Sequence, residues 1–531
     1  MNIRRLLPLP LLLLALPAFA QEAPTTESRA DVNRQPVAIR PSCLTPLLLD
    51  QQADRYGESR APANEIESGA GRGATPRRHP EIPRDLAPGA DKDDTAEEDA
   101  LGSLPVTRES RQKELVTPQG HFRIHYDVSG INGVATRDRD ANGVPDYIDS
   151  TAYYLEFAWR VEIDEMGYIA PTDNGIEGPE VDVLVSELSA SAYGYAYPEF
   201  ENEISSEPLR VTGFLVIDND YVGFPTPGIA GLRVTTAHEF HHIVQFSSYR
   251  VETSQAALYE ATSTWFEKVV HPSIMDYRNY TDVLLGEPQN CPFSTHDVSN
   301  LGIGYGHILY FDYLSERIDR DVVRRIWEEF AKDERSFTAI DRAIRATSLL
   351  DLQQSWCEFS RWCYFTGERA LADSSFLDEA KFLPTMRNAI QKSLESTSSV
   401  NLDGILRPLA FTIERVRILG EAPGSIDSID FLIANCRSDI GKGGRSVPAE
   451  TFTLRVSTAA EPGYLPIERN GTTVAYYRFA SNAPSYCITP ILSGAKQVSA
   501  VEEEEELAPG ATRTASETQR SHSPSLNLRN P

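Results

Sequence analysis

Apolar residues recur with different periods along this chain, and the places where the period changes divide it. His121-Phe122-Arg123-Ile124-His125-Tyr126 alternates in steps of two, as a half-buried strand does. Val181-Asp182-Val183-Leu184-Val185 and Val211–Ile217 read as two further strands. Between the first two, Tyr147, Leu155, Trp159 and Ile163 recur at three- and four-residue steps, predicting a helix over 147–165 that Gly167 ends. After residue 217 the helical period dominates. One helix carries Ala237–Gln245, and a second covers Thr253–Glu267, with a Thr/Ser start and Pro272 just beyond its end. Others run from Tyr305 to about Arg317 and over about 320–332, 338–348 and 350–366, the last with Trp356, Phe359 and Trp362 as core aromatics. From about residue 400 the period returns to two, in Phe411–Ile413, Ile429–Ile433, Phe452–Val456 and Val474–Phe479, with Asn470-Gly471 as a hairpin turn. The pattern predicts an α+β chain. A mixed sheet followed by helices occupies 116–395, and an all-β sandwich occupies 396–495 as an accessory unit for binding or stabilisation.

The ends follow other rules. Met1–Ala20 has Arg4 and Arg5, a Leu/Pro-rich apolar run and Ala18-Phe19-Ala20 before Gln21, the pattern of a secretory signal peptide with its cleavage site. No later segment is long and apolar enough to suggest a membrane span, so an exported protein without an integral membrane segment is expected, secreted or periplasmic. Residues 21–115 are rich in Pro, Gly, Ala, Ser and charge. They are expected to be mostly disordered, as a propeptide or a plain linker, and 496–531 reads as a disordered acidic tail. Six cysteines (Cys43, Cys291, Cys357, Cys363, Cys436 and Cys487) suit an oxidising compartment, and Cys436 with Cys487 is the expected disulfide. The formal charge of −27 becomes −29 without Arg4 and Arg5. Such a charge argues against a nucleic-acid partner and favours solubility. A monomer acting on a protein or peptide substrate is the expectation.

The chemistry concentrates in Ala237-His238-Glu239-Phe240-His241-His242, an H-E-x-x-H pattern on His238, Glu239 and His242. Residues four apart stand on one face of a helix, so two imidazoles can share one metal ion while the intervening Glu reaches its water. Zinc lowers the pKa of a bound water to about 7, and Glu239 is then the general base. A catalytic zinc needs a third protein ligand and an open position. Glu260, eighteen residues after His242 on the next helix, can swing back to supply it. Glu267, two turns further along the same face, is a rival third ligand or a partner for a ligand histidine. His241 lies off the metal face and is expected to be packed or exposed. Tyr305 and His307 are candidate donors to an oxyanion, with a core role as the alternative. Strand 211–217 is a candidate edge strand for an extended substrate, although a buried structural strand reads the same way.

A second cation is implied upstream. Counting from Asp138, oxygen-bearing side chains fall at positions 1, 3, 5, 9 and 12 (Asp138, Asp140, Asn142, Asp146, Asp149), with Gly143 at 6 and the Val144 carbonyl at 7. This is the spacing of a calcium loop with Asp in place of the usual final Glu. A plain Asp/Asn/Gly turn opening the helix is the alternative.

Gly120-His121-Phe122-Arg123-Ile124-His125-Tyr126, the Asn142–Tyr147 loop, the His238–Gln245 helix and Glu260-Ala261 before Trp265 together resemble a bacterial family of secreted zinc metalloproteases, over about residues 116–370. The active site is similar to that of gluzincins such as thermolysin. The resemblance implies a zincin-like metallopeptidase domain in which His238, His242 and Glu260 bind zinc and Glu239 is the base. A secreted zinc endopeptidase is the expected activity. The rival expectation is a calcium-stabilised binding or adhesion protein with a degenerate peptidase domain.

Overall fold

The computed structural model describes residues 108–493 apart from 173–177, 189–191, 290–301, 334, 372–375, 388–389, 396–398, 420–427, 438–448, 470 and 482–485. The expected signal peptide, nearly all of the 21–115 segment, the acidic tail, Cys43, Cys291 and Asn470 lie outside the described residues.

The N-terminal half is built on a five-stranded sheet in the order β1-β2-β3-β5-β4. Its strands are β1 (Lys113–Val116), β2 (Phe122–Tyr126), β3 (Val181–Ser186), β4 (Gly194–Ser206) and β5 (Leu209–Asp218). β2, β3 and β5 are parallel, while β1 and β4 run antiparallel at the two edges. β2 buries Phe122, Ile124 and Tyr126 and leaves Arg123 and His125 partly exposed, which explains its period of two. β5 lies between β3 and β4, buried on both faces, so the candidate edge strand of the sequence is an interior one. The outer strand is β4, which the apolar pattern does not announce because tyrosine, glycine and proline interrupt it.

One sheet face packs on two helices, α1 (Asp146–Trp159) and α2 (Gly228–Val244). Their meeting point is aromatic: Phe240 of α2 lies 5.2 Å from Phe122 and 5.5 Å from Trp159, ring to ring. Both helices end in a π-helical turn, Arg160–Glu165 and Gln245–Tyr249. The other face carries a smaller apolar cluster of Leu184, Tyr195, Tyr197, Phe214 and Val216. Arg108 lies over the Phe214 ring at 5.5 Å and pairs with Asp182 and Glu199.

Five longer helices follow in this half, α3 (Ala256–Val270), α4 (Ile308–Arg317), α5 (Val322–Phe330), α6 (Ser336–Thr347) and α7 (Leu352–Tyr364), with the short helices Thr281–Gly286 and Gly302–Gly306 between α3 and α4. α7 starts from a capping box in which Asp351 and Gln354 satisfy each other's end of the first turn. Among the described residues, no helix is long and apolar enough to cross a membrane.

The C-terminal half consists of two four-stranded sheets, β11-β12-β10-β7 and β13-β9-β8-β6. Their strands are β6 (Ile390–Glu395), β7 (Ser399–Leu406), β8 (Phe411–Leu419), β9 (Ser428–Asn435), β10 (Glu450–Ser457), β11 (Leu465–Arg469), β12 (Thr472–Ser481) and β13 (Tyr486–Ser493). The sheets face each other through Phe431 against Tyr477 at 5.6 Å and Phe479 against Tyr486 at 5.3 Å. β6 lies ahead of the boundary drawn at 396, and it pairs in parallel with β8.

This half does not stand apart from the helices. Trp356 and Phe359 of α7 meet Phe411 of β8 at 6.3 and 6.1 Å, inside one continuous hydrophobic core. Beside them Tyr364 donates to Asp430 at 2.8 Å, and Arg415 holds both oxygens of the same carboxylate. A disulfide joins Cys357 of α7 to Cys487 of β13, with Cα atoms 5.9 Å apart. The expected Cys436–Cys487 bond is therefore not formed, and Cys436 is a buried free thiol. The reason lies in the pairing. Cys487 stands opposite Ala434 on β9, two residues from Cys436, while α7 crosses the sheet at Cys487.

Candidate metal centre

The centre forms where α3 folds back along α2. His238 faces Glu267, His242 faces Ser263, and Gln245 faces Tyr259, so the partner numbers fall as the helix advances. The two helices are thus antiparallel, and Glu260 lies between the two imidazoles. Its Oε2 is 3.3 Å from His238 Nε2 and its Oε1 is 3.2 Å from His242 Nε2, while the two Nε2 atoms are 3.2 Å apart. Among the described residues this is the one group of three His, Cys, Asp or Glu whose ligand atoms all lie within 4.8 Å of one another, and it could hold a metal ion. All three side chains are buried.

The outer nitrogens of both imidazoles are already engaged. His238 Nδ1 is 2.6 Å from Glu267 Oε1, and His242 Nδ1 is 2.7 Å from Gln245 Oε1. The Gln245 amide is oriented by its other end, whose Nε2 donates to the Tyr259 carbonyl, Thr262 and Ser263, each at 3.1 Å. Its Oε1 must therefore accept, so His242 carries its proton on Nδ1. The acidic partner of His238 favours the same tautomer. Each ring then turns a lone pair on Nε2 toward Glu260, the form in which histidine binds metals.

Electrostatics suits a cation at this point. Burial pushes the Glu260 carboxyl up, and the His242 and His238 rings, when protonated, outweigh it and hold the group down at about 2; between neutral rings that positive charge falls to a bound cation. Neither Glu260 oxygen completes a hydrogen bond, an expensive state for a buried carboxylate that a metal ion would relieve. Glu267 is raised to about 7, chiefly by burial, with His238 opposing.

The other candidates are distributed around this core. Glu239 is buried beside the centre on α2, below β4. Tyr305, on the short helix Gly302–Gly306, stacks on His238 with ring centres 6.0 Å apart. That approach depends on Gly304, where a Cβ would stand 3.2 Å from Glu260 Cβ. His307 turns the other way and stacks on Trp356. His241 packs against Phe266 and Tyr168, with Nδ1 2.5 Å from the buried Glu162. Burial pushes His241 down and Glu162 up.

The 138–149 loop lies apart from the centre, at the start of α1. Gly143 takes φ +88° and Ala141 φ +57°, which curls the backbone inward. Asp138 accepts from the N–H groups of Gly143 at 2.9 Å and Asn142 at 3.2 Å. The Asn142 amide reaches Asp149 at 3.1 Å, and Asp146 accepts from the Arg139 N–H at 2.8 Å. The Gly143 N–H leads in lowering the Asp138 pKa. The loop's carboxylates do not close to the spacing found at the His–His–Glu group.

Gln245 is the contributor whose role the sequence reading left undefined. Its signal in the sequence was an amide one turn past His242 and two turns past His238, on the helix face that carries both histidines.

No family model matches the chain, and no curated protein does. Among solved structures, the crystal structure of Legionella pneumophila aminopeptidase A in complex with aspartic acid aligns with 72% of this chain and 35% of its own, at 10% identity and a TM-score of 0.28. The alignment spans about a third of that protein's length, and a likeness this slight carries no argument about fold or chemistry.

Proposed function

We propose that the protein is a zinc-dependent endopeptidase of the zincin type, exported as the N-terminal segment suggests. The carrying observation is the spacing of the three ligand atoms, 3.2–3.3 Å apart with both histidine Nε2 lone pairs turned inward. Ligands about 2.0–2.1 Å from a tetrahedral zinc stand about 3.3 Å from one another. His238, His242 and Glu260 would hold the ion, leaving a fourth position for water or substrate. Bound zinc would acidify a water and polarise the scissile carbonyl. Glu239 takes the proton from the attacking water and returns it to the leaving amine. Tyr305, against His238, is the better candidate of the two for an oxyanion donor, since His307 faces Trp356. A calcium ion in the 138–149 loop would brace the start of α1, held by Asp138, Asp140, Asn142, Asp146, Asp149 and the Val144 carbonyl.

Elemental analysis of purified wild type beside Glu260→Ala tests the reading. About one zinc per chain, lost in the variant, supports it. Casein cleavage should fall about 10²–10⁴-fold in Glu239→Gln with zinc retained. A wild type that takes up no zinc when it is supplied would overturn it, and the binding-protein alternative would lead.

A further inference from the structure

The face of the five-stranded sheet away from α1 and α2 is built in rows. Tyr195, Val216 and Leu184 stand side by side on β4, β5 and β3, and in the next row Tyr197 stacks on Phe214 at 5.0 Å. Polar groups follow: Thr212 donates to Glu199 at 3.1 Å, and Asp182 lies 2.9 Å from His125 Nε2. The apolar rows form a cluster of their own, separate from the core that the helices share. They are nevertheless closed to solvent, with Leu184, Tyr195, Phe214 and Val216 only 0–1% exposed. Leu188 and Ala192, between β3 and β4, join the cluster at the end beyond Ser186.

The chain crosses this face on its way into β1. Arg111, its side chain 4% exposed, donates to the Val185 carbonyl at 3.3 Å and to Ser186 Oγ at 2.7 Å, at the end of β3. Three residues earlier, Arg108 lies over the Phe214 ring, grips both oxygens of Glu199 at 2.8 and 3.1 Å, and pairs with Asp182. Burial, then the charge of Glu109 with Arg111 opposing it, sets the Tyr195 phenol above its ordinary range, so this arm passes beside that ring. Arg108 thereby ties β3 to the edge strand β4 across β5, and β4 is the strand whose Gly194 lies over Glu239.

The residues next upstream, Leu101-Gly102-Ser103-Leu104-Pro105-Val106-Thr107, are outside the described residues and largely apolar. Seven residues span at most about 25 Å, ample for the roughly 10 Å from β3 to β4. The acidic stretch 91–99 ahead of them is kept off by like charge, since this face ends in Asp182 and Glu199.

We propose that residues 101–107 continue the arm over Phe214, Tyr197 and Val216, so that 101–111 forms a strap that seals this face and clamps the edge strand β4. The folded unit then begins at Leu101, and processing of the N-terminal segment stops ahead of it. The strap does not depend on the metal chemistry.

Limited trypsin digestion of the native full-length protein tests the clamp. The bonds after Arg108 and Arg111 should resist while the bond after Lys92 is cut, and all three should be cut in urea. Cleavage after Arg108 as fast as after Lys92 would overturn the proposal. Arg108→Met leaves Asp182 and Glu199 buried without their cation, and should speed hydrogen exchange of the β4 amides at 195–199 about tenfold or more. Unaltered exchange would again count against the clamp. Leu104→Asp and Val106→Asp read the cover, since each sets a charge against the apolar rows. Each should lower the Tm by several degrees and expose the bond after Arg108 to trypsin. An unchanged Tm in both would sink the strap. A dimer on size-exclusion chromatography, with both Asp variants silent, would assign the face to a second copy of the chain instead.

Discussion

Gln245→Leu separates the orientation of His242 from its identity. The substitution keeps roughly the same volume in a site with no exposure and removes every hydrogen bond of the amide. Gln245 accepts from His242 Nδ1 and donates to the Tyr259 carbonyl, Thr262 and Ser263. Not all of these partners are stranded by its loss. Thr262 also donates to the Leu258 carbonyl at 2.8 Å, and Ser263 lies 3.3 Å from His242 Nδ1 and can replace part of that bond. The Tyr259 carbonyl retains the weaker Thr262 contact at 3.3 Å. The net expectation is about 2 kcal/mol of lost stability in the metal-free protein, at the middle of the range for a buried polar group left unmade. Metal affinity carries a further loss of about 10–100-fold, the usual effect of removing the partner that orients a ligand histidine. Zinc titration against a chelating fluorophore gives the affinity, and urea unfolding of the metal-free protein gives the stability. The refuting result is specific. If stability falls while zinc affinity stays within about threefold of wild type, Gln245 is a packing residue and Ser263 suffices to orient His242.

The remaining predictions concern regions away from the centre. Glu414, buried on β8, is raised to about 7 by burial against a smaller opposing effect of Lys392, and its Oε2 has no hydrogen-bond partner. Folded Glu414 therefore keeps its proton where the unfolded chain has lost it, so stability should fall by about 3 kcal/mol between pH 4.5 and 7 and level off above. Glu414→Gln should flatten that decline in urea unfolding at pH 5 to 8, and parallel wild-type and variant curves would count against it. The Cys357–Cys487 bond closes a loop across a sequence separation of 130, so Cys357→Ser should cost up to about 5 kcal/mol while Cys436→Ser leaves the disulfide intact. Peptide mapping of the unreduced protein checks the pairing, and a Cys436–Cys487 peptide would disprove it. For the calcium loop, EGTA should lower the Tm of wild type by several degrees and leave that of Asp138→Ala unchanged. A calcium-independent wild-type Tm would reduce the loop to a helix-opening turn.

The sequence by itself determined what depends on neighbours within a few residues. Alternation marked β2, because one of its faces is covered and the other partly open. The four-residue spacing of His238 and His242 put both imidazoles on one face whatever surrounded the helix. The same local logic exposed the helices from α4 to α7 and the strand-rich C-terminal half. Tertiary structure alone decided what depends on partners distant along the chain. It set β5 inside the sheet and β4 at its edge, since continuous burial removes the alternation that would tell an interior strand from a helix segment. It chose Cys357 over Cys436 for Cys487, because α7 crosses β13 and no sequence spacing encodes that crossing. The side chains around the ligands were decided in the same way. Glu267 and Gln245 set the histidine tautomers, Gly304 admits Tyr305, and Tyr221 reaches α2 only because Asp218 bends the chain after β5. A ligand pattern four residues long can be written in one helix, but the hydrogen bonds that orient it must come from wherever the fold brings a donor or acceptor within 3 Å.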